Sequence, residues 1–259
     1  MEMLKVENLE IRFGGLVAIN RLSFETKGKE ILSVIGPNGA GKTTLFNAIT
    51  GFLKPFQGKI FWRGTDITGY PPYHVTRLGI ARTFQKRSFF PALSVLENVL
   101  LGYHLRNSIS LWEALLKYPA LKKERHAREY AMELINFVGL KGKEDLLACN
   151  LPYGEQRLLG IAIALASKPK LLLLDEPCAG SNPAESQNIT RLIENIKHMG
   201  ISVILVEHHM RVVMSISDRV IVLNSGEKLA EGSPKEIQNH PKVIEAYLGR
   251  KSEGNGLSA

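Results

Sequence analysis

The chain has 259 residues, of which 44% are hydrophobic and 22% charged, a size and composition typical of a globular protein with a sizeable core. No apolar run approaches the roughly 20 residues that cross a bilayer, and the start MEMLKVENLE does not resemble a signal peptide, so we expect a cytoplasmic protein. The net charge of +8 permits an anionic partner, but no basic stretch is interleaved with stacking aromatics, which argues against nucleic acid.

The first part of the chain has the pattern of strands, a loop and a helix. Apolar residues alternate from Leu4 to Phe13 and recur at 22–25, with Gly14-Gly15 as the turn between two predicted strands. A short apolar strand from Ile31 to Ile35 runs into a glycine-rich loop, and 44–50 is predicted to be the helix that follows.

The middle of the chain, from about Pro71 to Ala166, has a mostly helical pattern. Ser94 followed by Glu97 predicts a capping box, because hydroxyl and carboxylate can satisfy each other's backbone amides. Helical periodicity from 111 to 138 is predicted to break at Pro119.

The last part alternates strands and helices again. The apolar runs 171–174 and 201–206 are typical of strands covered on both faces. Between them, Asn182 and Glu185 predict a capped helix start, and Ser225-Gly226 predicts the turn of a late hairpin. Parallel strands alternating with helices predict an α/β fold with a mostly parallel core sheet.

A phosphate-binding loop is predicted between the third strand and its helix. The pattern GxxxxGK[ST] is matched by Gly36, Pro37, Asn38, Gly39, Ala40, Gly41, Lys42 and Thr43, and Thr44 continues into the helix. Glycines allow successive backbone N–H groups to converge on phosphate oxygens, and the helix N-terminus adds its dipole. We expect Lys42 to meet the β- and γ-phosphates of a nucleotide and the Thr43 hydroxyl to ligate Mg²⁺. The alternative is a glycine-rich turn without a ligand, which the flanking strand and helix disfavour.

Two carboxylates, Asp175 and Glu176, end the apolar run at 171–174. Open α/β folds place ligands at the carboxyl ends of parallel strands. One carboxylate suits Mg²⁺, and the next can polarise an attacking water as a general base. The alternative, a strand that ends in two solvated acids, weakens once a phosphate-binding loop is present.

The two cysteines, Cys149 and Cys178, stand in no CxxC or Cys/His spacing. We expect both to be isolated buried thiols, without a metal or disulfide role. The cysteines therefore give no sign of a structural metal.

Taken in order, the motifs of the chain resemble those of ABC-type ATPases. The resemblance rests on the phosphate-binding loop, Gln85 in the segment ARTFQ, the segment LPYGEQR from Leu151 to Arg157, Asp175-Glu176 and His208, and it extends from Leu4 to about Gly249. In the residues and the spacing of its motifs, the chain is similar to the subgroup that powers bacterial import of branched-chain amino acids. The supporting stretches are Arg82–Gln85, Ser94–Val99, Asp175–Pro177 with Ala179-Gly180, Val206–His208 and Ala230–Pro234.

The resemblance implies a role for each matching residue. Phe13 would stack on the adenine, although a core aromatic on a strand is an equal alternative. Gln85 would touch Mg²⁺ or the attacking water and sense a membrane subunit. Asp175 would hold Mg²⁺ and Glu176 would be the general base. His208 would bind the γ-phosphate, although a lone histidine at a strand end is more often structural.

The resemblance also implies a signature segment, residues 152–156, that acts on ATP bound to a second subunit. Its residues are Pro152, Tyr153, Gly154, Glu155 and Gln156. The family usually has serine at the position of Pro152, so both the hydroxyl and the backbone N–H of that residue are missing. Two other positions also depart from the usual pattern. Ser181 stands where the subgroup tends to have an apolar residue, and Ile163 stands where an arginine is common.

Two explanations of Pro152 remain open. In the first, Gly154 and the helix N-terminus suffice and the proline is tolerated, because proline is well suited to begin a helix. In the second, the chain works in a heterodimer whose two ATP sites are unequal, and the site completed by Pro152 turns over slowly. The first is slightly favoured.

The implied architecture is a P-loop NTPase of ABC type. It comprises an ATPase domain at 1–249, with an N-terminal antiparallel β layer and a helical lobe inserted at about 86–168, and a flexible tail at 250–259. The implied partners are membrane-spanning permease subunits, a second ATPase subunit in a homo- or heterodimer and, indirectly, a substrate-binding protein. ATP and Mg²⁺ would be bound at the cytoplasmic side of the inner membrane, with the chain peripheral to it.

Other functions are alternatives to import of branched-chain amino acids. Motors for urea or lipopolysaccharide transport are closely similar, and a motor subunit does not touch the cargo. A soluble ABC-type ATPase acting on DNA repair or ribosomes typically carries paired ATPase domains or a long coiled-coil insertion, which this chain lacks. A non-hydrolysing regulator is disfavoured by Glu176 and His208.

Overall fold

The computed structural model describes residues 2–84, 89–104 and 117–248. These residues divide into two compact units, one formed by the chain up to Pro72 and from Cys178 onward, the other by Tyr73–Pro177. Gln85, residues 111–116 of the predicted helical stretch and the predicted tail at 250–259 lie outside the described residues. Within the described ranges, no helix has the length and apolarity needed to cross a membrane.

Strands and helices follow one another along the chain as the sequence pattern predicts. The strands are β1 (Glu2–Phe13), β2 (Leu16–Lys27), β3 (Ile31–Ile35), β4 (Gln57–Trp62), β5 (Thr65–Asp66), β6 (Ile80–Arg82), β7 (Leu171–Asp175), β8 (Ser202–Val206), β9 (Arg219–Asn224) and β10 (Glu227–Gly232). The helices are α1 (Lys42–Ile49), α2 (Pro72–Arg77), α3 (Val95–His104), α4 (Lys117–Phe137), α5 (Tyr153–Ala166), α6 (Pro183–His198), α7 (Met210–Ile216), α8 (Pro234–Gln238) and α9 (Pro241–Leu248), with a short 3₁₀ helix at Ala148–Asn150.

The first unit contains an antiparallel sheet built from the N-terminal strands. Its strand order is β2-β1-β4-β5, and all neighbouring strands are antiparallel. Gly14 takes a φ of 59° in the turn between β1 and β2, and the alternating residues Leu4, Val6 and Leu9 are buried. The predicted N-terminal hairpin is therefore confirmed.

The first unit also contains the parallel strands that carry the phosphate-binding loop. Strand β3 pairs in parallel with β8 and with β9, and β10 adds to β9 in the antiparallel direction. Every residue of β3 and β8 is buried, as expected for strands covered on both faces. The turn from β9 to β10 runs through Ser225 and Gly226, both at positive φ, which is the hairpin turn predicted from the sequence.

The second unit combines helices with a pair of parallel strands. Strands β6 and β7 pair in parallel from Ile80↔Leu171 to Arg82↔Leu173, and helices α3, α4 and α5 pack against one another. Gly102 allows the close approach of α3 to α5, because a Cβ there would lie 2.4 Å from the carbonyl oxygen of Ile163. The unit includes strands as well as helices, and the extent of the inserted helical lobe stays a prediction.

Two predicted helix starts are confirmed by reciprocal hydrogen bonds, and one predicted break is wrong. Ser94 and Glu97 form a capping box before α3, and Asn182 and Glu185 form one before α6. Helix α4, in contrast, runs unbroken through Pro119. The reason is that Pro119 lies in the first turn, where backbone N–H groups have no partner within the helix and proline removes nothing.

The expectation that both cysteines are buried is half wrong. Cys178 is buried, whereas Cys149 is exposed in the short 3₁₀ helix Ala148–Asn150, and both are free thiols. Whether a residue in a short helix is buried depends on which side of the helix is covered. A helix of three residues is too short to show a hydrophobic periodicity from which that side could be predicted.

A network of charged side chains around Arg219 joins three strands of the first unit, β2, β9 and β10, and Glu30 just before β3. The guanidinium donates hydrogen bonds to the carbonyl oxygen of Glu25 at 2.5 Å, to Glu30 Oε1 at 2.9 Å and to Glu231 Oε1. Lys228 Nζ lies 2.7 Å from Glu231 Oε2. Burial alone would raise the pKa of Glu231, but the hydrogen bonds and charges of Lys228 and Arg219 outweigh it and lower that pKa below its ordinary value.

This lowered pKa predicts a pH-dependent contribution of Glu231 to stability. A carboxylate with a lowered folded-state pKa stabilises the fold above its unfolded-state pKa of about 4.3, and the contribution is lost as pH falls through the folded value. We expect Glu231→Gln to lower the free energy of unfolding by about 1 kcal/mol at pH 7, with a difference from wild type that shrinks between about pH 4.5 and pH 3. Denaturant unfolding at several pH values measures this. Glu245→Gln, at an exposed position of α9, is the matched control, and a difference for Glu231→Gln that stays constant with pH would contradict the prediction.

Candidate functional site

The phosphate-binding loop lies between a wholly buried strand and a helix. Strand β3 ends at Ile35 and α1 begins at Lys42. Between them Gly36, Gly39 and Gly41 have φ values of 153°, 79° and 100°, which side chains with a Cβ rarely adopt. Gly41 is the N-cap of α1 and has no side chain with which to cap it. The N-terminus of α1 therefore has no side-chain cap, and helix N-termini of this kind bind anions through their backbone amides.

Neighbouring backbone presses against the loop at two of these glycines. A Cβ on Gly36 would lie 2.1 Å from the carbonyl oxygen of Leu223 in β9, and one on Gly41 would lie 2.8 Å from the carbonyl oxygen of Ala18 in β2. Gly226, in the β9–β10 turn, donates a hydrogen bond to the carbonyl oxygen of Ala40 at 3.2 Å. The loop conformation is therefore held from outside by two other segments.

The role of these supporting segments is not predicted by the sequence. The pair Ser225-Gly226 has the residue pattern of a hairpin turn, but that pattern predicts only the turn and not its contact with the phosphate-binding loop. Gly226 also has to be small because a Cβ there would lie 2.7 Å from the carbonyl oxygen of Ala18. A close approach between segments more than 180 positions apart in the chain leaves no local pattern.

The amine of Lys42 is folded back onto the loop. Its Nζ donates hydrogen bonds to the carbonyl oxygens of Gly36 and Pro37 at 2.8 and 3.0 Å, and the residue is buried. Thr43 is exposed and Thr44 half-buried in the first turn of α1. Backbone amides, an ammonium group and a hydroxyl are thus gathered at one end of one helix, a set that suits a polyphosphate.

Phe13 lies at the end of β1, beside the Gly14-Gly15 turn, and is 50% exposed. The alternative that Phe13 fills the core is therefore wrong. Leu16 and Val17, just beyond the turn, are exposed as well. Stacking of the ring on an adenine stays a prediction.

In the second unit, Asp175 ends the buried strand β7 and forms a buried ion pair. Its Oδ2 accepts a hydrogen bond from Arg82 Nη2 at 2.8 Å, and the two side chains are 1% and 5% exposed. The backbone N–H of Asp175 donates to Thr83 Oγ1 at 3.4 Å. Asp175 is therefore not a solvated acid. Arg82 received no individual role from the sequence, although a charged residue at the end of the strand beside β7 was a usable signal.

Glu176 follows with a φ of 51°, in the left-handed region that residues with a Cβ seldom occupy. Such strained conformations persist only where the surroundings enforce them, and they cluster at functional sites. The side chain of Glu176 is half-buried. The backbone therefore supports the prediction of a special role at this position.

The oxygen-bearing residues predicted to hold Mg²⁺ have suitable chemistry. The Thr43 hydroxyl is exposed at the start of α1, and one oxygen of the Asp175 carboxylate is bonded to the Arg82 guanidinium. Hydroxyl and carboxylate oxygens are ligands that Mg²⁺ accepts in nucleotide sites. These residues fit a magnesium ion, and the third predicted ligand, Gln85, lies outside the described residues.

The signature segment opens helix α5. Pro152 is its N-cap, and the proline carbonyl oxygen accepts hydrogen bonds from the backbone N–H groups of Glu155 and Gln156 at 2.9 and 3.0 Å. Tyr153 is 63% exposed, and Gly154 is half-buried. The proline thus begins the helix without disturbing it, as expected for a residue whose missing N–H would have no helical partner.

The side chains of Glu155 and Gln156 are held by contacts within the second unit. Glu155 Oε2 pairs with Lys143 Nζ at 2.5 Å, and Gln156 Nε2 donates to the carbonyl oxygen of Leu151 at 2.8 Å. The guanidinium of Arg157 lies 4.5 Å from the ring centre of Tyr153. The segment is therefore ordered before any partner binds.

His208 follows strand β8 in the first unit and is exposed. Its backbone N–H donates a hydrogen bond to the carboxylate of Glu207 at 3.0 Å. Glu207 itself is buried. Sequence analysis assigned Glu207 no role, although a charged residue directly after a wholly buried strand is unusual.

Comparison with known proteins identifies the family. The model of a family described as ABC transporter matches residues 19–179, more than half of the chain. The chain belongs to the ABC transporter family. A second model, described as branched-chain amino acid ATP-binding cassette transporter, matches residues 227–252.

Individual relatives of this ABC ATPase can be aligned with the chain over almost their whole length. The chain is 44% identical to the high-affinity branched-chain amino acid transport ATP-binding protein LivG of Salmonella typhimurium, over 95% of this chain and 98% of the relative. Among solved structures, the ADP conformation of MJ1267, an ATP-binding cassette of an ABC transporter, is 34% identical with a TM-score of 0.84, covering 96% of this chain and 99% of that one. The dimeric post-hydrolysis state of the ATP-binding cassette MJ0796, bound to ADP and Pi, is 26% identical with a TM-score of 0.76, covering 90% of this chain and 99% of that one.

The loop geometry predicts that two glycines of the phosphate-binding loop respond differently to the same substitution. Gly36→Ala places a Cβ against the backbone of Leu223, whereas at Gly39 no atom lies within 4 Å of an added Cβ. We expect Gly36→Ala to weaken ATP binding at least about tenfold, because backbone must shift where the amides converge. Gly39→Ala should cost only the strain of a positive φ, about 1 kcal/mol. Titration of both variants with a fluorescent ATP analogue measures this, and equal losses would show that the contact with Leu223 does not matter.

Proposed function

We propose that this ABC ATPase is the ATP-hydrolysing subunit of an importer of branched-chain amino acids. It acts at the cytoplasmic side of the inner membrane, peripheral to it, on membrane-spanning permease subunits that receive cargo from a substrate-binding protein. The observation that carries the proposal is a tightly packed glycine loop that leads into α1 without a side-chain cap, in a chain with LivG as a near full-length relative. The family match at residues 227–252 supports the substrate class.

ATP is proposed to bind the first unit through its phosphates and base. The backbone amides of 36–44 surround the phosphates, and Lys42 moves from the carbonyl oxygens of Gly36 and Pro37 to the β- and γ-phosphates. This exchange replaces two neutral acceptors by charged ones, which bind an ammonium group more strongly. Phe13, already exposed, supplies the face on which the adenine stacks.

Thr43, Asp175 and Gln85 are proposed to hold Mg²⁺. The ion, when bound, offsets the negative charge of the phosphate oxygens. Arg82 fixes the carboxylate of Asp175 in position for this role, since its guanidinium already bonds one of the two oxygens. The Asp175 side chain is thus already oriented by Arg82 before the metal ion binds.

Glu176 is proposed as the general base, which accepts a proton from the attacking water. His208 is proposed to hold the γ-phosphate and to keep the water in line. The strained backbone at Glu176 supports a catalytic role, because folding energy is spent to hold this side chain in one position.

The ATP site is proposed to be completed by a second ATPase subunit. Residues 152–156 of one subunit would face the γ-phosphate held by the loop of the other, with Gly154 and the N-terminus of α5 supplying amides and positive dipole. The dimeric MJ0796 cassette with ADP and Pi supports assembly of two ATPase subunits. Two subunits closing on ATP and separating after hydrolysis would move the permease subunits.

Pro152 is proposed to be tolerated, because α5 opens normally with the proline as its cap. The alternative is a heterodimer with one slow site, since proline offers neither the hydroxyl nor the N–H of a serine. Transport of urea or lipopolysaccharide and a soluble regulatory ATPase remain alternatives to the proposed function, and no observed contact favours them.

A transport assay with a catalytic variant tests the function. In proteoliposomes that contain the complete importer with its permease subunits, we expect ATP-dependent uptake of labelled leucine. Glu176→Gln should reduce ATP hydrolysis and uptake at least about 10³-fold, because the base is lost, while ATP binding and dimer formation persist. Size-exclusion chromatography with ATP and Mg²⁺ should therefore show a stable dimer of the variant. An active complex that does not transport leucine, isoleucine or valine would refute the substrate class.

Replacement of Pro152 by serine tests the two explanations of the signature. If the proline is tolerated, ATP hydrolysis by the complete complex should change by less than about threefold in Pro152→Ser. If the proline makes one site slow, that site alone should gain about 10² in rate in the variant, so a slow phase of single-turnover ATP hydrolysis should disappear. Single-turnover assays with labelled ATP distinguish the two results, and Tyr153→Phe, which leaves the helix start unchanged, is the control.

A further inference from the structure

The buried carboxylate of Glu207 joins two separate segments of the first unit. Glu207 lies between strand β8 and His208 and is 1% exposed. Its Oε1 accepts a hydrogen bond from the backbone N–H of Cys178 at 2.7 Å, and its Oε2 accepts one from the backbone N–H of His208 at 3.0 Å. Cys178 follows Glu176 by two positions in the chain. One side chain thus connects the segment that leaves Glu176 to the segment that carries His208.

A further residue of the second segment takes part in the same contact. The backbone N–H of His209 lies 3.3 Å from Glu207 Oε2, and the His209 ring nitrogen Nδ1 lies 3.3 Å from the same oxygen. Burial of a carboxylate is costly unless its oxygens are bonded. Here three backbone N–H groups supply those bonds, so the charge is compensated almost entirely by main chain.

The chemistry of this position is specific to a carboxylate of glutamate length. Each oxygen accepts from a different segment, so two acceptor atoms are needed at once. Glutamine has one acceptor oxygen, and its amide NH₂ group would face a backbone N–H. Aspartate is one methylene shorter and can bond the backbone of its own loop, but it loses the reach to Cys178.

We propose that Glu207 is a positioning residue of the ATPase reaction. It ties the backbone from which the His208 imidazole projects to the chain that leaves Glu176, and so limits the freedom of both loops. This inference rests on the proposed roles of Glu176 and His208. Within the described part of the chain, the hydrogen bonds of Glu207 go to Cys178, His208 and His209 and not to the phosphate-binding loop, so we expect the loop to keep its hold on the α- and β-phosphates without Glu207.

The inference predicts a loss of turnover without a loss of nucleotide affinity. In the complete transporter complex, Glu207→Gln should lower the kcat of ATP hydrolysis about ten- to a hundredfold, the scale on which supporting residues act at reactive centres. The dissociation constant of a fluorescent ADP analogue, which lacks the γ-phosphate that His208 would hold, should stay within about twofold of wild type. Glu207→Asp should show the same loss of turnover, because it too lacks the link to Cys178.

Hydrogen–deuterium exchange gives a readout that does not depend on activity. Peptides that contain the amides of Cys178, His208 and His209 should exchange faster in Glu207→Gln, while peptides from β3 and α1 should be unchanged. Glu236→Gln is the matched control, since Glu236 also accepts a backbone N–H bond, from Ser233 at 2.7 Å, at the capping box of α8. This control should leave kcat and the exchange of all these peptides unchanged.

Two results would overturn the inference: a folded Glu207→Gln complex with wild-type turnover, or a loss of turnover accompanied by faster exchange throughout the unit. If Glu207→Gln does not fold, Glu207→Asp decides by the same criteria. Failure of the proposed function is seen separately, as a wild-type complex without ATP hydrolysis.

Discussion

The approach of two carbonyl oxygens to the phosphate-binding loop is the constraint on which the site depends. Leu223 and Ala18 leave no room for a Cβ at Gly36 and Gly41, so the loop takes its shape against the β9 strand and the β2 strand. Its amides are then fixed at the N-terminus of α1 before any ligand arrives. Donors that need no reorganisation stabilise charge more effectively than mobile ones, because the cost of ordering them is met during folding.

Charged side chains, most of them buried, provide a second level of positioning at the ends of the strands. Arg82 bonds Asp175 at the end of β7, Glu207 bonds backbone N–H groups after β8, and Arg219 joins Glu30 and Glu231 at the start of β9. A buried pair adds little net stability, but removal of one partner leaves the other charge unpaired at a large cost. Such groups therefore fix geometry more than they stabilise the fold, and two of the three lie next to residues proposed to act on ATP.

The signature segment shows how a family pattern can change without a change of fold. Pro152 replaces the usual serine, yet its carbonyl oxygen still accepts the first helical hydrogen bonds of α5. What differs is the number of donors offered to a phosphate, which concerns the rate of a reaction rather than the shape of the subunit. The relatives and solved cassettes agree with the chain over at least 90% of its length, so the departure is local.

The sequence by itself determined the local elements and the chemistry of the main motifs. The phosphate-binding loop, the capping boxes at Ser94 and Asn182 and the Ser225-Gly226 turn are short-range patterns, in which neighbouring residues satisfy each other's backbone groups. The prediction failed at Pro119 because the type of a residue does not show where in a helix it lies. It failed at Cys149 because residue type does not show which side of a short helix is covered. Only the tertiary structure decided that Phe13 is exposed, that Asp175 is paired with Arg82 and that Glu207 links two loops. Each of these contacts joins residues far apart in the chain or depends on which face is buried, and packing alone brings such residues together.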